Sequence, residues 1–87
     1  MNNERRKSIR AIMSQMETLG SIIDSIRDEL ETLRDEESEY LDNMPEAFRD
    51  GERGERAQAA IDALEEVIST LEIDVLDMTS TLETACE

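Results

Sequence analysis

The chain has no histidine and no tryptophan, and among its 87 residues it has one cysteine, one proline, one tyrosine and one phenylalanine. Each shortage closes off a class of answer. Without histidine there is no side chain that ordinarily titrates near neutral pH and no imidazole ligand, so neither a nucleophile–base pair nor a Glu-x-x-His metal cluster can be nominated. With two aromatic side chains the chain lacks the bulk that fills the core of a compact mixed fold. The single thiol, Cys86, has no internal partner for a disulfide, and a bond between copies is not expected in a reducing compartment. No apolar run approaches the roughly 18 residues needed to span a bilayer. The basic beginning leads into an amphipathic segment rather than the continuous apolar stretch of a signal peptide. The expectation is a cytoplasmic, non-enzymatic protein with no cofactor, no metal and no membrane contact.

Basic residues are scarce as well. Nine Lys and Arg stand against 23 Asp and Glu, for a net charge of −14. The imbalance is uneven. Residues 1–10 hold Arg5, Arg6, Lys7 and Arg10 against Glu4, whereas residues 57–87 contain eight acids and no Lys or Arg. Such a chain repels nucleic acid directly and suits a partner with a basic surface.

What the sequence has in abundance is periodicity. From Ile9 the apolar positions step by three and four through Ile12, Met16, Leu19, Ile23, Ile26, Leu30, Leu33, Tyr40 and Met44, with Glu37 the one interruption. That is a heptad with a at 9, 16, 23, 30, 37 and 44 and d at 12, 19, 26, 33 and 40. A second run, Ala57, Ile61, Leu64, Ile68, Leu71, Val75, Met78, Leu82 and Ala85, keeps the same steps without a miss. The spacing predicts an all-α protein of one domain, residues 1–87. A first helix covers about 3–43, a connection about 44–52 and a second helix about 53–85. Two long heptad helices joined by a short connection predict an antiparallel hairpin.

One seam between two helices is a small core for a chain of this size. Met13, Ile22, Leu41, Val67 and Leu76 flank the predicted seam and widen it, which predicts a homodimer forming a four-helix bundle through those residues. Gly20 falls inside the first helix, where it costs on the order of 1 kcal/mol against Ala.

Two surfaces are candidates for binding. Asp24, Asp28, Glu31, Asp35 and Glu39 recur at i+3 and i+4 and so form one ridge on the first helix. Asp62, Glu65, Glu66, Glu72, Asp74 and Asp77 line the second. Rows of carboxylates at this density resemble the charge of a DNA duplex, about one per 1.7 Å of axis, and fit a nucleic-acid-binding cleft on another protein. The alternative is that the acids only keep the protein soluble. The other candidate is the connection, with Phe48, Arg49, Arg53 and Arg56 at its tip. There Asn43-x-x-Glu46 predicts a cap and Pro45 the first turn of a short helix. Glu37, at an a position, is placed to pair with Arg53 or Arg56 or to set the register. The stretch beginning at Asp42 is not a calcium loop, since Met44 and Ala47 occupy the places that need an oxygen ligand and a glycine.

At these residues the chain resembles small acidic coiled-coil proteins carried by bacteriophages and prophages. The resemblance rests on Glu-Arg-Arg-Lys at 4–7, Asp-Asn-Met-Pro-Glu at 42–46, Gly-Glu-Arg-Gly-Glu at 51–55 and Ala-Ile-Asp-x-Leu-Glu at 60–65. It implies an accessory protein acting in a bacterial cytoplasm, of the kind that inhibits a host defence nuclease (anti-CRISPR or anti-restriction). The competing expectation is a structural or assembly coiled coil working through its apolar seam.

Overall fold

A computed structural model describes all residues, 1–87. Helices cover 86% of the chain, and there are no strands. The order is α1 (Asn3–Asp42), α2 (Glu46–Arg49), α3 (Glu52–Thr70) and α4 (Val75–Cys86). No helix is long and apolar enough to cross a membrane.

The 40 residues of α1 are bracketed by caps at both ends. Asn2 Oδ1 accepts from the Arg5 backbone N–H at 2.8 Å, satisfying one of the free donors of the first turn. At the other end the Arg49 guanidinium donates to the Asp42 carbonyl at 2.7 Å, supplying positive charge and a donor where a helix C-terminus needs both.

The predicted second helix is in fact two. Residues 71–74 are not helical, and α4 restarts behind Asp74, whose carboxylate accepts from the Asp77 N–H at 2.9 Å. Aspartate is a strong N-cap because its side chain replaces the missing intrahelical acceptor. The connection also differs from expectation. The short helix α2 forms within it, but its N-cap is Pro45 with no side-chain hydrogen bond, so the cap expected from Asn43 is not made. Gly51 takes the N-cap of α3 at φ −102°, and no residue of the chain has positive φ.

The chain divides into two compact units that share α1: Met1–Ser25 with Ile73–Glu87, and the continuous segment Ile26–Glu72. In the first, Gly20 of α1 lies beside Val75, and Arg6 reaches the Cys86 carbonyl at 2.8 Å, so α4 runs opposite to this part of α1. Arg6 also donates to the Glu87 carbonyl at 2.9 Å, closing the end of α4 with a cation. Val75 and Thr79 are buried, with Leu82 and Cys86 half-buried on the same side. The Thr79 hydroxyl meets its burial by donating to the Leu76 carbonyl at 2.9 Å. In the second unit Gly54, Ala57, Ile61 and Ile68 are the buried face of α3. A Cβ built on Gly54 would stand 1.7 Å from the Arg49 carbonyl oxygen, so the end of α2 rests directly on the α3 backbone.

The shielded face of α1 is not the predicted one. The a positions hold as far as Ile23, Leu30 and Met44, but the residues shielded beside them are at e: Met13, Gly20, Arg27, Arg34 and Leu41. All five d residues, Ile12, Leu19, Ile26, Leu33 and Tyr40, remain 40–54% exposed. The same exchange occurs in α4, where Met78 and Ala85 face outward and Thr79 and Cys86 inward. Once Asp74 has restarted the helix, its phase is no longer tied to that of α3.

Candidate partner-binding surface

The acidic ridge of α1 is built by the helix itself. Asp24, Asp28, Asp35 and Glu39 are exposed and Glu31 is half-buried. Cations do little to neutralise them. Asp35 is held by its neighbour Arg34 at 3.1 Å, and the other four make no ion pair. The whole chain forms three ion pairs for 23 acids. All of the pairs lie near the surface, where such contacts contribute little.

The six acids predicted on the second helix are all exposed but have unequal roles. Asp74 is committed to capping α4. Glu72 stands 3.8 Å from Arg27. Asp62 accepts from Gln58 at 2.9 Å. Glu65, Glu66 and Asp77 are free of side-chain partners among the hydrogen bonds and ion pairs of the chain, and Glu65 and Glu66 lie on α3 whereas Asp77 lies on α4.

The four tip residues divide in the same way. Arg49 is occupied in closing α1. Arg56 pairs with Glu52 at 2.6 Å, one helical turn away. Arg53 lies over the Phe48 ring, 4.9 Å from its centroid, while the ring stays 47% exposed. A guanidinium on an aromatic face stiffens both groups at the surface. Glu37 is half-buried and pairs with neither Arg53 nor Arg56.

Of the residues expected to pair two copies, Met13 and Leu41 lie on the shielded face of α1, which leaves little of them for a partner. Ile22, Val67 and Leu76 are exposed, Leu76 to 76%. The α1 d residues were assigned to the internal seam by their spacing, and their exposure is what that assignment missed.

No three acidic or cysteine side chains converge on a point that could hold a metal ion. A recess of about 420 Å³ is open and lined by Arg10, Met13, Glu83, Cys86 and Glu87, unlike the apolar pockets that hold small molecules. What the surface offers is uncompensated negative charge beside an apolar stripe. No protein-family model, curated protein or solved structure matches the chain.

Proposed function

We propose that the protein is a non-enzymatic binding module that occupies a basic, nucleic-acid-binding surface on another protein, in the manner of a phage-borne inhibitor of a bacterial defence nuclease. One observation carries the reading: four of the five acids of the α1 ridge are exposed, and all but Asp35 are without a cation. Such a row attracts a basic cleft over a Debye length, about 10 Å at 0.1 M salt, and competes there with a phosphate backbone. In this reading the chain is an antiparallel hairpin, with α1 as one arm and α3 and α4 as the other, and two copies form a four-helix bundle in the bacterial cytoplasm.

The test is capture from a bacterial lysate on immobilised protein at low and high salt, beside a variant carrying Asp28→Lys, Glu31→Lys and Asp35→Lys. Nucleic-acid-binding proteins should be retained by the native chain at low salt, released as salt rises, and not retained by the variant. Retention that survives both salt and charge reversal would show that the ridge is not the contact. The reading as an assembly coiled coil has its own support in the exposed α1 stripe.

A further inference from the structure

A recess of about 360 Å³ lies where α4 begins against α1, wholly within the unit formed by Met1–Ser25 and Ile73–Glu87. Gly20 and Val75 are its least exposed members. Ile73 and Leu76 stand at its edge, 45% and 76% exposed, and Leu76 is the most exposed large apolar side chain of the protein. The break at 71–74 produces this edge, because the helix restarted at Asp74 turns Val75 and Thr79 inward and leaves Leu76 outside the packed face. Gly20 keeps the recess open. Glycine is a costly residue inside a helix, yet an alanine Cβ here would make only ordinary contacts with Val75 at 3.4–3.5 Å. Packing does not require the glycine; what it leaves is space beside Val75. Glu17 and Asp24 flank Gly20 on α1, roughly 10 Å apart at 1.5 Å per residue. Neither makes an ion pair, and no Lys or Arg lines the recess. The third acid, Asp74, is committed to the α4 cap.

We infer that this recess docks a basic segment of another protein, with an aliphatic side chain seated against Ile73 and Leu76 and a Lys or Arg on either side of it facing Glu17 and Asp24. The inference rests on the basic partner of the proposed function, but it uses none of Asp28, Glu31 and Asp35. Charge selects the occupant. An acidic segment, a nucleic acid or an anionic lipid surface would meet two uncompensated carboxylates. A second copy offers one cationic patch, residues 1–10, and there Arg6 is already taken by the Cys86 and Glu87 carbonyls. The apolar edge separates this place from the rest of the acidic surface. Two exposed aliphatic side chains beside a concavity give an incoming apolar anchor something to fill, and a few such anchors carry most of the affinity of an interface. The flanking acids then set the preference for cations.

Nuclear magnetic resonance titration of the isotope-labelled full chain with short peptides tests this. The peptide acetyl-Lys-Ser-Leu-Ser-Lys-amide places its leucine and both cations on one face of an extended segment. At millimolar concentration it should shift the amides of residues 17–24 and 73–76 most. Acetyl-Lys-Ser-Ser-Ser-Lys-amide and acetyl-Glu-Ser-Leu-Ser-Glu-amide should bind about tenfold more weakly, without a maximum at the recess. Leu76→Ser should weaken the first peptide about tenfold, equivalent to about 1.4 kcal/mol, and Leu76→Met should retain it. Glu17→Gln with Asp24→Asn should also weaken it about tenfold at low salt, at about threefold per exposed pair, and remove most of its salt dependence. Circular dichroism checks that each variant stays helical. Shifts spread evenly over the acids of the chain, equal binding of the all-serine peptide, or indifference to Leu76→Ser would each overturn the inference. Sedimentation should give the same mass for the native chain and Leu76→Ser; an oligomer lost in the variant would put a second copy at the recess and overturn it as well. The chain carrying Asp28→Lys, Glu31→Lys and Asp35→Lys should keep the localised response, so failure of the ridge and failure of the recess are read separately.

Discussion

Replacing Gly54 by alanine adds one methyl group to an α3 position where alanine is ordinarily favoured by about 1 kcal/mol over glycine. Here the sign should reverse. The added Cβ would stand 1.7 Å from the Arg49 carbonyl oxygen, 2.5 Å from its carbon and 2.8 Å from Arg49 Cα. All three are backbone atoms, so no rotamer change relieves the overlap, and α2 must withdraw from α3 by more than 1 Å. Forcing extra atoms into a packed site costs about 1–3 kcal/mol. The loss is limited by what α2 contributes when docked, which includes the Arg49 cap on α1 and the stacking of Arg53 on Phe48. After the propensity gain of about 1 kcal/mol, a net loss of up to about 2 kcal/mol is expected. For a chain of this size that is a fall in Tm of up to about 16 °C, at roughly 4–8 °C per kcal/mol. Gly20 supplies the control, because its added Cβ would meet only Val75 side-chain atoms at 3.4–3.5 Å, an ordinary contact. Gly20→Ala should therefore hold or raise Tm. Thermal and urea unfolding followed by circular dichroism measure both, and hydrogen exchange of the amides at 46–51 reports on α2. A Gly54→Ala chain at least as stable as the native one, with those amides still protected, would refute the close approach of α2 to α3.

Other substitutions probe the helix ends and the shielded seam. Asp74→Ala removes the side-chain cap of α4 and should cost about 1 kcal/mol, with amide protection lost first at residues 75–78. Arg6→Ala removes the cation that closes α4 at Cys86 and Glu87, and a loss of about 1 kcal/mol is expected in urea unfolding, with Arg6→Lys intermediate because it keeps the charge but not the paired donors. Arg27→Met should leave stability within about 0.5 kcal/mol of native or raise it. Arg27 Nε is buried without a partner and the pair with Glu72 is long at 3.8 Å, so the apolar replacement removes an unmet donor. A large loss in that variant would mean that the guanidinium does more than fill space.

Much of the helical framework could be read from the chain. Three-four spacing identified both helical regions, and the a positions Ile23, Met44, Ile61, Ile68 and Val75 are buried as a heptad requires. The partner position in each heptad was not legible, for a physical reason. A helix with apolar residues at a and d can turn either flank of a inward, and in α1 the flank turned inward includes Gly20, Arg27 and Arg34, which sequence reads as surface. Glycine permits close approach, and arginine covers apolar surface with its stem. The break at 71–74 was hidden because it contains neither glycine nor proline. Its only signal was Asp74 three residues before Asp77, which reads equally well as part of an acidic row. The ridge acids other than the half-buried Glu31 were legible as exposed, but the sequence did not separate those with structural tasks, Asp74 and Glu72, from those left free.

The shared use of α1 has a kinetic consequence. The unit Ile26–Glu72 is one continuous segment, whereas the other brings residues 1–25 back to residues 73–87, and its Arg6–Cys86 bond joins positions 80 apart in sequence. Closing a long loop costs entropy that grows with its length, so the continuous unit is expected to form first and to serve as the closure on which the distant ends meet. On the ribosome, residues 1–25 emerge before residues 73–87 and must wait for them before they are covered. The same order in reverse sets how the native chain opens, with α4 and the first turns of α1 exchanging their amide hydrogens before α3 does.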